Sequence, residues 1–177
     1  LVALQCSDMY CGSKIHCSRV RSIQIALAQP IGGTMTATVT TTDHAEPLTV
    51  IGETMRPLLT NEMGSPIDIF DTAGAEGMGP PPHHHEWDEI YVMLEGELDV
   101  ITGDGEPQRL TEGMVAHVPG GTTHGYRIAA NGTRFLTILT RGNGHAFYRQ
   151  MDAEVSFPPD IADVVRVAGN HGIQFPS

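Results

Sequence analysis

Three consecutive histidines and a nearby glutamate are the residues of this sequence best suited to chemistry. They lie in the segment from residue 77 to residue 96, GMGPPPHHHEWDEIYVMLEG. Alternate side chains of an extended strand point to the same side, so His83, His85 and Glu89 would face one way and His84 the other. One strand is therefore predicted to present two imidazoles and one carboxylate together.

A fourth donor comes from a glycine-rich segment further along the chain. Residues 113 to 125 read GMVAHVPGGTTHG, and the run Pro119-Gly120-Gly121 predicts a turn that presents His124 to the same interior. Three imidazoles and one carboxylate suit one divalent transition metal ion per chain, such as Fe, Ni, Mn, Co or Zn. Four protein ligands leave coordination positions open, which favours a catalytic ion over a structural one. The alternative interpretation is that the triple histidine is a chance surface cluster.

The remaining pattern predicts the strands that would hold these donors. From residue 48 the chain falls into short apolar runs separated by turn signals, which is typical of a β-sandwich or barrel. The runs cover residues 48–51, 57–60, 67–70, 90–94, 98–102, 115–118, 126–130 and 135–140. Asp104-Gly105 and Asn131-Gly132 predict tight turns, and Gly96 predicts a bend. We expect mostly antiparallel sheets with successive strands paired.

A helix is predicted near the C-terminus. It would begin after Asp160, which follows two prolines, and end at Asn170 or Gly172. Its apolar positions follow the i, i+3, i+4, i+7 spacing of one helix face, namely Ile161, Val164, Val165 and Ala168. This apolar face would bury against the barrel or against a second subunit.

The first 34 residues differ from the rest in composition. They contain one carboxylate, Asp8, and the chain reads like a fresh start at Met35. We interpret residues 1–46 as a leader and linker, either disordered or partly a misassigned start, rather than as an export signal. The barrel would then cover residues 47–150, and a C-terminal helical extension would cover residues 151–177.

Composition excludes several function classes. Ten basic residues against 21 acidic residues give a net charge of −11, which disfavours binding to nucleic acid and to anionic membranes. No apolar run approaches the roughly 18 residues of a membrane span. Cys6, Cys11 and Cys17 are the only cysteines, so no disulfide framework can support the main domain. We expect no nucleic-acid or membrane partner and a cytoplasmic location.

The two donor segments together resemble the paired motifs of the cupin family. The first motif is Gly, five residues, His-x-His, three or four residues, Glu, six residues and Gly. It is matched by Gly77, His83, His85, Glu89 and Gly96. The second is Gly, five residues, Pro-x-Gly, two residues, His, three residues and Asn. It is matched by Gly113, Pro119, Gly121 and His124, with Ile128 in place of the closing Asn. The resemblance covers about residues 47–150. It implies an all-β fold, the cupin jelly-roll barrel (double-stranded β-helix), here with a short C-terminal helix.

A looser resemblance, to small single-cupin proteins related to bacterial quercetin 2,3-dioxygenases, involves residues 55–85 and 164–176. Those relatives usually have four residues between the second histidine ligand and the glutamate, where this chain has three. The shorter spacing leaves His84 open as an alternative ligand. The strand pattern favours His83 and His85.

This resemblance implies a metal-dependent dioxygenase that cleaves a flavonol or similar enolisable molecule with O2. Glu89 would be the catalytic base as well as a ligand, because apolar surroundings would raise its proton affinity. Tyr91 and Met93 share its parity and would line the substrate pocket, although the alternative is that they are ordinary barrel core. The family also implies a homodimer.

Two other functions would use the same four ligands. A non-oxidative isomerase, cyclase or decarboxylase would need the metal only as a Lewis acid, and oxygen dependence would separate it from a dioxygenase. A non-catalytic cupin would bind a small molecule without turnover. The fold itself does not decide between these functions.

Overall fold

The structure is a computed structural model that describes residues 37–140 and 143–176. Most of the predicted leader, with Cys6, Cys11, Cys17 and Met35, lies outside the described residues. Residues 37–47 precede the first strand and contain one short 3-10 turn, Thr42–His44. Only this last part of the predicted linker is therefore described.

The larger sheet has six antiparallel strands in the order β1-β2-β3-β9-β4-β7. Their bounds are β1 Leu48–Val50, β2 Glu53–Leu59, β3 Ile67–Gly74, β4 Glu89–Glu95, β7 Val115–Val118 and β9 Thr133–Thr140. Strand β9 lies between β3 and β4, and its side chains alternate between buried and half-buried positions. This alternation is the period of two expected for a sheet with one face on the core.

The smaller sheet has three antiparallel strands in the order β6-β5-β8. Their bounds are β5 Glu97–Thr102, β6 Gln108–Thr111 and β8 His124–Ile128. The all-β prediction is confirmed, but the two sheets do not close into a barrel. Among the nine strands of the described residues, successive strands pair only in β1–β2, β2–β3 and β5–β6. The expectation that successive strands pair is wrong for the others, because β4 pairs with β7 and β9, and β8 pairs with β5.

Gly96 is the corner at which the chain passes from the larger sheet to the smaller one. Its φ is 77°, a left-handed conformation that favours glycine. A Cβ at this position would lie 2.4 Å from the hydroxyl oxygen of Thr133, so any residue with a side chain would clash at this corner. The predicted bend at Gly96 is thus confirmed.

Apolar side chains form two clusters, one between the sheets and one beneath the helices. The first includes Tyr91, Met93, Leu98, Val100, Ile128 and Phe135. The second packs the outer strands against the C-terminal helices and includes Val50, Met55, Phe70, Leu139, Met151, Val164 and Val167. The second cluster matters for function because the cavity described below lies within it.

The C-terminal region contains two helices rather than one. Helix α1 spans Gly144–Glu154 and helix α2 spans Ile161–Asn170. The helix predicted after Asp160 is confirmed, and the Asp160 carboxylate caps it by accepting from the backbone N–H of Ala162 at 2.8 Å. Helix α1 was not predicted, and it crosses the boundary expected at residue 150. Neither helix of the described residues has the length and apolar character that a membrane-spanning helix requires.

Candidate metal centre and its cavity

Four buried side chains converge at one end of the sheets. The ligating atoms of His83, His85, Glu89 and His124 all lie within 4.8 Å of one another. Nε2 of His85 and Nε2 of His124 lie 3.2 and 3.0 Å from the same carboxylate oxygen of Glu89. The structure therefore brings together the four residues that the sequence selected.

The two ligand-bearing segments are joined directly by their backbones. The N–H of His83 donates to the carbonyl of His124 at 2.8 Å, and the N–H of His124 donates to the carbonyl of His83 at 2.8 Å. The prediction that one continuous strand carries His83, His85 and Glu89 is wrong, because β4 begins only at Glu89. The chain bends at residues 86 and 87, and the even spacing still leaves all three side chains buried.

Each of the three imidazoles is oriented by a backbone carbonyl. The Nδ1 atoms lie 3.0 Å from Pro81 O in His83, 3.0 Å from Trp87 O in His85 and 2.8 Å from Thr122 O in His124. A carbonyl can only accept, so each Nδ1 carries a proton, and each Nε2 is the ring nitrogen directed into the cluster. Such second contacts fix ring orientation in histidine metal ligands.

This donor set fits a divalent transition metal ion. Two ligand atoms at right angles, each about 2.1 Å from a shared ion, lie about 3.0 Å apart. The separations of 3.2 and 3.0 Å from Glu89 to His85 and His124 match that value. Nitrogen and oxygen donors together suit Fe, Ni, Mn, Co or Zn.

Burial and contacts within the cluster set its charges. Burial acts to lower the pKa of His124, but the hydrogen bond to Glu89 outweighs it and raises this pKa. Burial lowers the pKa of His83 to about 4, so this imidazole is neutral and can donate its lone pair. Burial acts to raise the pKa of Glu89, but hydrogen bonds and charges from His124 and His85 outweigh it and lower the pKa to about 2. Burial thus acts on Glu89 in the expected direction, but the two imidazoles outweigh it by stabilising the carboxylate.

Trp87 packs against the cluster, whereas the side chains of His84 and His117 lie outside it. The Trp87 ring stacks on the His85 ring, with centroids 4.1 Å apart and an interplanar angle of 9°. The backbone of His84 pairs with that of Gln174, and its side chain does not join the four-residue group. His117 is half-exposed and lies 3.5 Å from the carboxylate of Asp88, away from the cluster.

His83 and Glu89 line a partly open, mostly apolar cavity of about 70 Å³. Both helices and the first two strands contribute to its wall, through residues such as Ile51, Met55, Phe147, Met151, Val164 and Phe175. Among the described residues, the lining includes His83 and Glu89 but neither Tyr91 nor Met93. Tyr91 and Met93 belong to the buried core cluster and do not line this cavity, which favours the alternative that they are barrel core.

Sequence reasoning missed two polar residues of this cavity, Glu53 and Tyr126. Glu53 is 4% exposed, and the Tyr126 hydroxyl donates to its carboxylate, 3.0 Å from each oxygen. Burial raises the pKa of Glu53 to about 7, the Tyr126 hydrogen bond opposes this shift, and the charge of Glu89 adds to it. The only sequence signal for Glu53 is its alternation with the buried Met55 on β2.

Glu53 is expected to make stability depend on pH. Its folded pKa of about 7 exceeds the free value of 4.5, so the folded state holds the proton more tightly between these pH values. The free energy of unfolding should therefore fall by about 3 kcal/mol as pH rises from about 4.5 to about 7, and then level off. The Glu53→Gln variant should lack this pH-dependent fall in the free energy of unfolding.

Urea unfolding of metal-depleted wild-type and Glu53→Gln proteins at pH 5 and pH 8 measures this effect. The contributions of the other titrating groups to stability cancel when the wild type is compared with the variant at the same pH. The free energy of unfolding of the variant minus that of the wild type should be about 2–3 kcal/mol larger at pH 8 than at pH 5. An equal difference at both pH values would contradict the raised pKa.

The sequence and fold place this chain among known proteins. Residues 72–139 match the cupin domain family, and this segment contains all four residues of the cluster. The segment therefore resembles a cupin domain, and the predicted cupin jelly-roll fold is confirmed.

The relatives with known names are similar over only part of their length or at low identity. Quercetin 2,3-dioxygenase from Bacillus subtilis (strain 168) is 35% identical over 81 residues, which cover 45% of this chain. This chain spans about a quarter of that curated relative, since the match covers 24% of it.

Two solved structures share the fold. An RmlC-like cupin from Shewanella frigidimarina NCIMB 400 has a TM-score of 0.54 at 19% identity, covering 63% of this chain and 96% of its own. The polyketide cyclase RemF from Streptomyces resistomycificus has a TM-score of 0.51 at 22% identity. The match covers 60% of this chain and 80% of RemF. At these identities the likeness describes the fold alone.

Proposed function

We propose that this chain is a metal-dependent cupin enzyme that binds a small enolisable molecule and cleaves it with O2. The observation that carries the proposal is that His83 and Glu89, two of the four buried ligand side chains, line a mostly apolar cavity. Sites of this form hold a small ligand by apolar contact and orient it through a few polar groups. Similarity to a quercetin 2,3-dioxygenase over 81 residues supports the oxidative reaction.

His83, His85, Glu89 and His124 would hold one divalent ion. When bound, such an ion supplies Lewis-acid stabilisation of negative charge on the enolate oxygen of a substrate. The apolar wall would exclude water from the reacting atoms, which strengthens every charge interaction within the cavity. The predicted role of Glu89 as base and the predicted homodimer remain proposals.

The size of the cavity favours a smaller substrate than a flavonol. Pockets that enclose drug-sized molecules have volumes of about 300–1,000 Å³, whereas this cavity has about 70 Å³. Helices α1 and α2 form part of its wall, so a three-ring substrate would need to displace them. We therefore propose a compact molecule with a carbonyl beside a hydroxyl or a second carbonyl.

A non-oxidative reaction of the same class of substrate is the second candidate. It is favoured by Glu53, a buried carboxyl group in the cavity wall whose pKa of about 7 suits proton transfer at neutral pH. An isomerase would need enolisation and reprotonation without an oxidant. Enolisation is the first step of both candidate reactions.

Oxygen uptake by protein loaded separately with Fe, Ni, Co or Mn tests the proposal. The substrate panel would include hydroxyacetone, acetoin, small diketones and flavonols. We expect uptake with one of the small compounds and one metal, little with flavonols, and none in His124→Ala. Substrate conversion without oxygen would favour the second candidate. No conversion of any kind by metal-loaded protein would favour a binding protein without turnover.

A further inference from the structure

Glu53 and Tyr126 form a second polar pair in the cavity, apart from the four-residue cluster. Both side chains line the cavity, and they are 4% and 7% exposed. The Tyr126 hydroxyl lies 3.0 Å from each oxygen of the carboxylate, so a single donor is shared between both oxygens. The pair therefore lies in the wall of the same cavity that His83 and Glu89 line.

Stability alone does not explain a carboxyl group at this position. Within residues 37–140 and 143–176, Tyr126 is the only hydrogen-bond partner of the Glu53 side chain, and no cation pairs with it. A buried carboxyl group without a cation is costly, and an apolar side chain of similar size would fit the surrounding wall better. Buried titratable groups that face a cavity are common at functional sites.

The backbone before Glu53 is also unusual. Ile51 and Gly52 form the turn between β1 and β2 with φ angles of 49° and 86°. A left-handed conformation costs an L-residue about 1–2 kcal/mol, and a β-branched residue adopts it rarely. Ile51 nevertheless holds this conformation and lines the cavity next to Glu53. This type of two-residue hairpin turn requires positive φ at both of its central residues, so the turn accounts for the conformation of Ile51.

We propose that Glu53 is the catalytic residue that exchanges a proton with the carbon next to the carbonyl of a small α-hydroxycarbonyl compound, and that Tyr126 positions it. This inference rests on the proposed function, because the four-residue cluster would hold the substrate oxygens. A cavity of about 70 Å³ leaves a bound molecule within reach of both walls.

The proton transfer balances without an oxidant. The ionised Glu53 carboxylate takes the proton from the carbon that bears the hydroxyl group. The C–H electron pair becomes the C=C bond, and the carbonyl π pair moves onto its oxygen. Return of the proton from the Glu53 carboxyl to the same carbon restores the carbonyl compound. Its return to the former carbonyl carbon moves the carbonyl by one carbon, when the hydroxyl proton of the enediolate passes to the neighbouring oxygen.

Hydrogen exchange into hydroxyacetone tests this role without oxygen. Cobalt-loaded protein and hydroxyacetone would be incubated in D2O under argon, and loss of the proton signal at the hydroxyl-bearing carbon would be followed by NMR. Glu53→Gln, which has nearly the same shape, should exchange at least about 100-fold more slowly than the wild type. The matched control is Glu76→Gln, which removes an exposed carboxylate and should exchange at the wild-type rate.

A second readout does not depend on turnover. The infrared difference spectrum on adding hydroxyacetone to metal-depleted and cobalt-loaded protein reports the C=O stretch of a protonated carboxyl group. We expect a shift of this band in the wild type and its absence in Glu53→Gln. The visible spectrum of bound cobalt reports separately whether hydroxyacetone reaches the metal.

These measurements separate the inference from the proposed function. Wild-type exchange rates in Glu53→Gln would overturn the role of Glu53 and leave the proposed function standing. A wild-type protein whose cobalt spectrum changes on adding hydroxyacetone but which exchanges no proton would do the same. If neither hydroxyacetone nor any other compound of the panel changes the cobalt spectrum, both the proposed function and the inference fail.

Discussion

Replacing His85 by alanine is expected to lower metal affinity by at least about 100-fold. The His85 side chain is buried, its Nε2 lies 3.2 Å from Glu89, and its Nδ1 is fixed by the carbonyl of Trp87 at 3.0 Å. Loss of a residue that only supports a metal ligand typically costs 10–100-fold in affinity, and loss of the ligand itself costs more. Isothermal titration calorimetry and metal content after dialysis measure the effect.

His84→Ala is the matched control for this prediction. His84 is adjacent in the sequence and has the same side chain, but that side chain lies outside the four-residue cluster. Its backbone pairing with Gln174 survives the substitution, because backbone atoms make those bonds. We expect near-wild-type metal content. Equal loss in both variants would contradict the assignment of His83 and His85 as the ligand pair.

Gly120→Ala is expected to weaken both folding and metal binding. A Cβ at Gly120 would lie 2.3 Å from the carbonyl oxygen of Glu86 and 2.8 Å from its carbonyl carbon. The Gly120 N–H donates to Asp88 at 3.0 Å and the Gly121 N–H donates to the His85 carbonyl at 2.7 Å, so this turn holds the two ligand segments together. We expect the free energy of unfolding to fall by about 2–3 kcal/mol and metal affinity to fall about 10–100-fold.

Gly169→Ala provides the comparison. Gly169 lies in α2, and a Cβ there would meet no atom within 4 Å. Alanine is a better helix former than glycine, so this variant should be stabilised by about 0.5–1 kcal/mol with unchanged metal affinity. Urea unfolding and calorimetry of both variants test the pair of predictions. Wild-type metal affinity in a destabilised Gly120→Ala protein would show that the close approach serves folding alone.

The sequence predicts most strands because their apolar runs are local signals. All eight predicted runs correspond to strands, and β6 was missed because only Leu110 is apolar among its four residues. Strand pairing was harder to predict, because β4 finds its partners in β7 and β9, far along the chain. Helix α1 was missed because Asn143 provides no side-chain cap and most of its stability comes from tertiary contacts such as the burial of Met151.

The candidate ligands could also be predicted from the sequence because their signal is local. His83, His85 and Glu89 are separated by even numbers of residues, and this parity holds even though the chain bends between His85 and Glu89. The cavity could not be predicted from the sequence, because helices and strands that are distant in the sequence form its wall. Glu53 and Tyr126 are 73 residues apart, so no local pattern joins them. Their contact exists only in the folded chain.

Anomalous diffraction from cobalt-loaded crystals at the cobalt absorption edge tests the central claim most directly. We predict one strong peak per chain, about 2.0–2.2 Å from Nε2 of His83, His85 and His124 and from a carboxylate oxygen of Glu89. Density for a small ligand or for water at the remaining positions should face the cavity that contains Glu53. A peak bound through His84, or no peak among these four side chains, would contradict this ligand assignment.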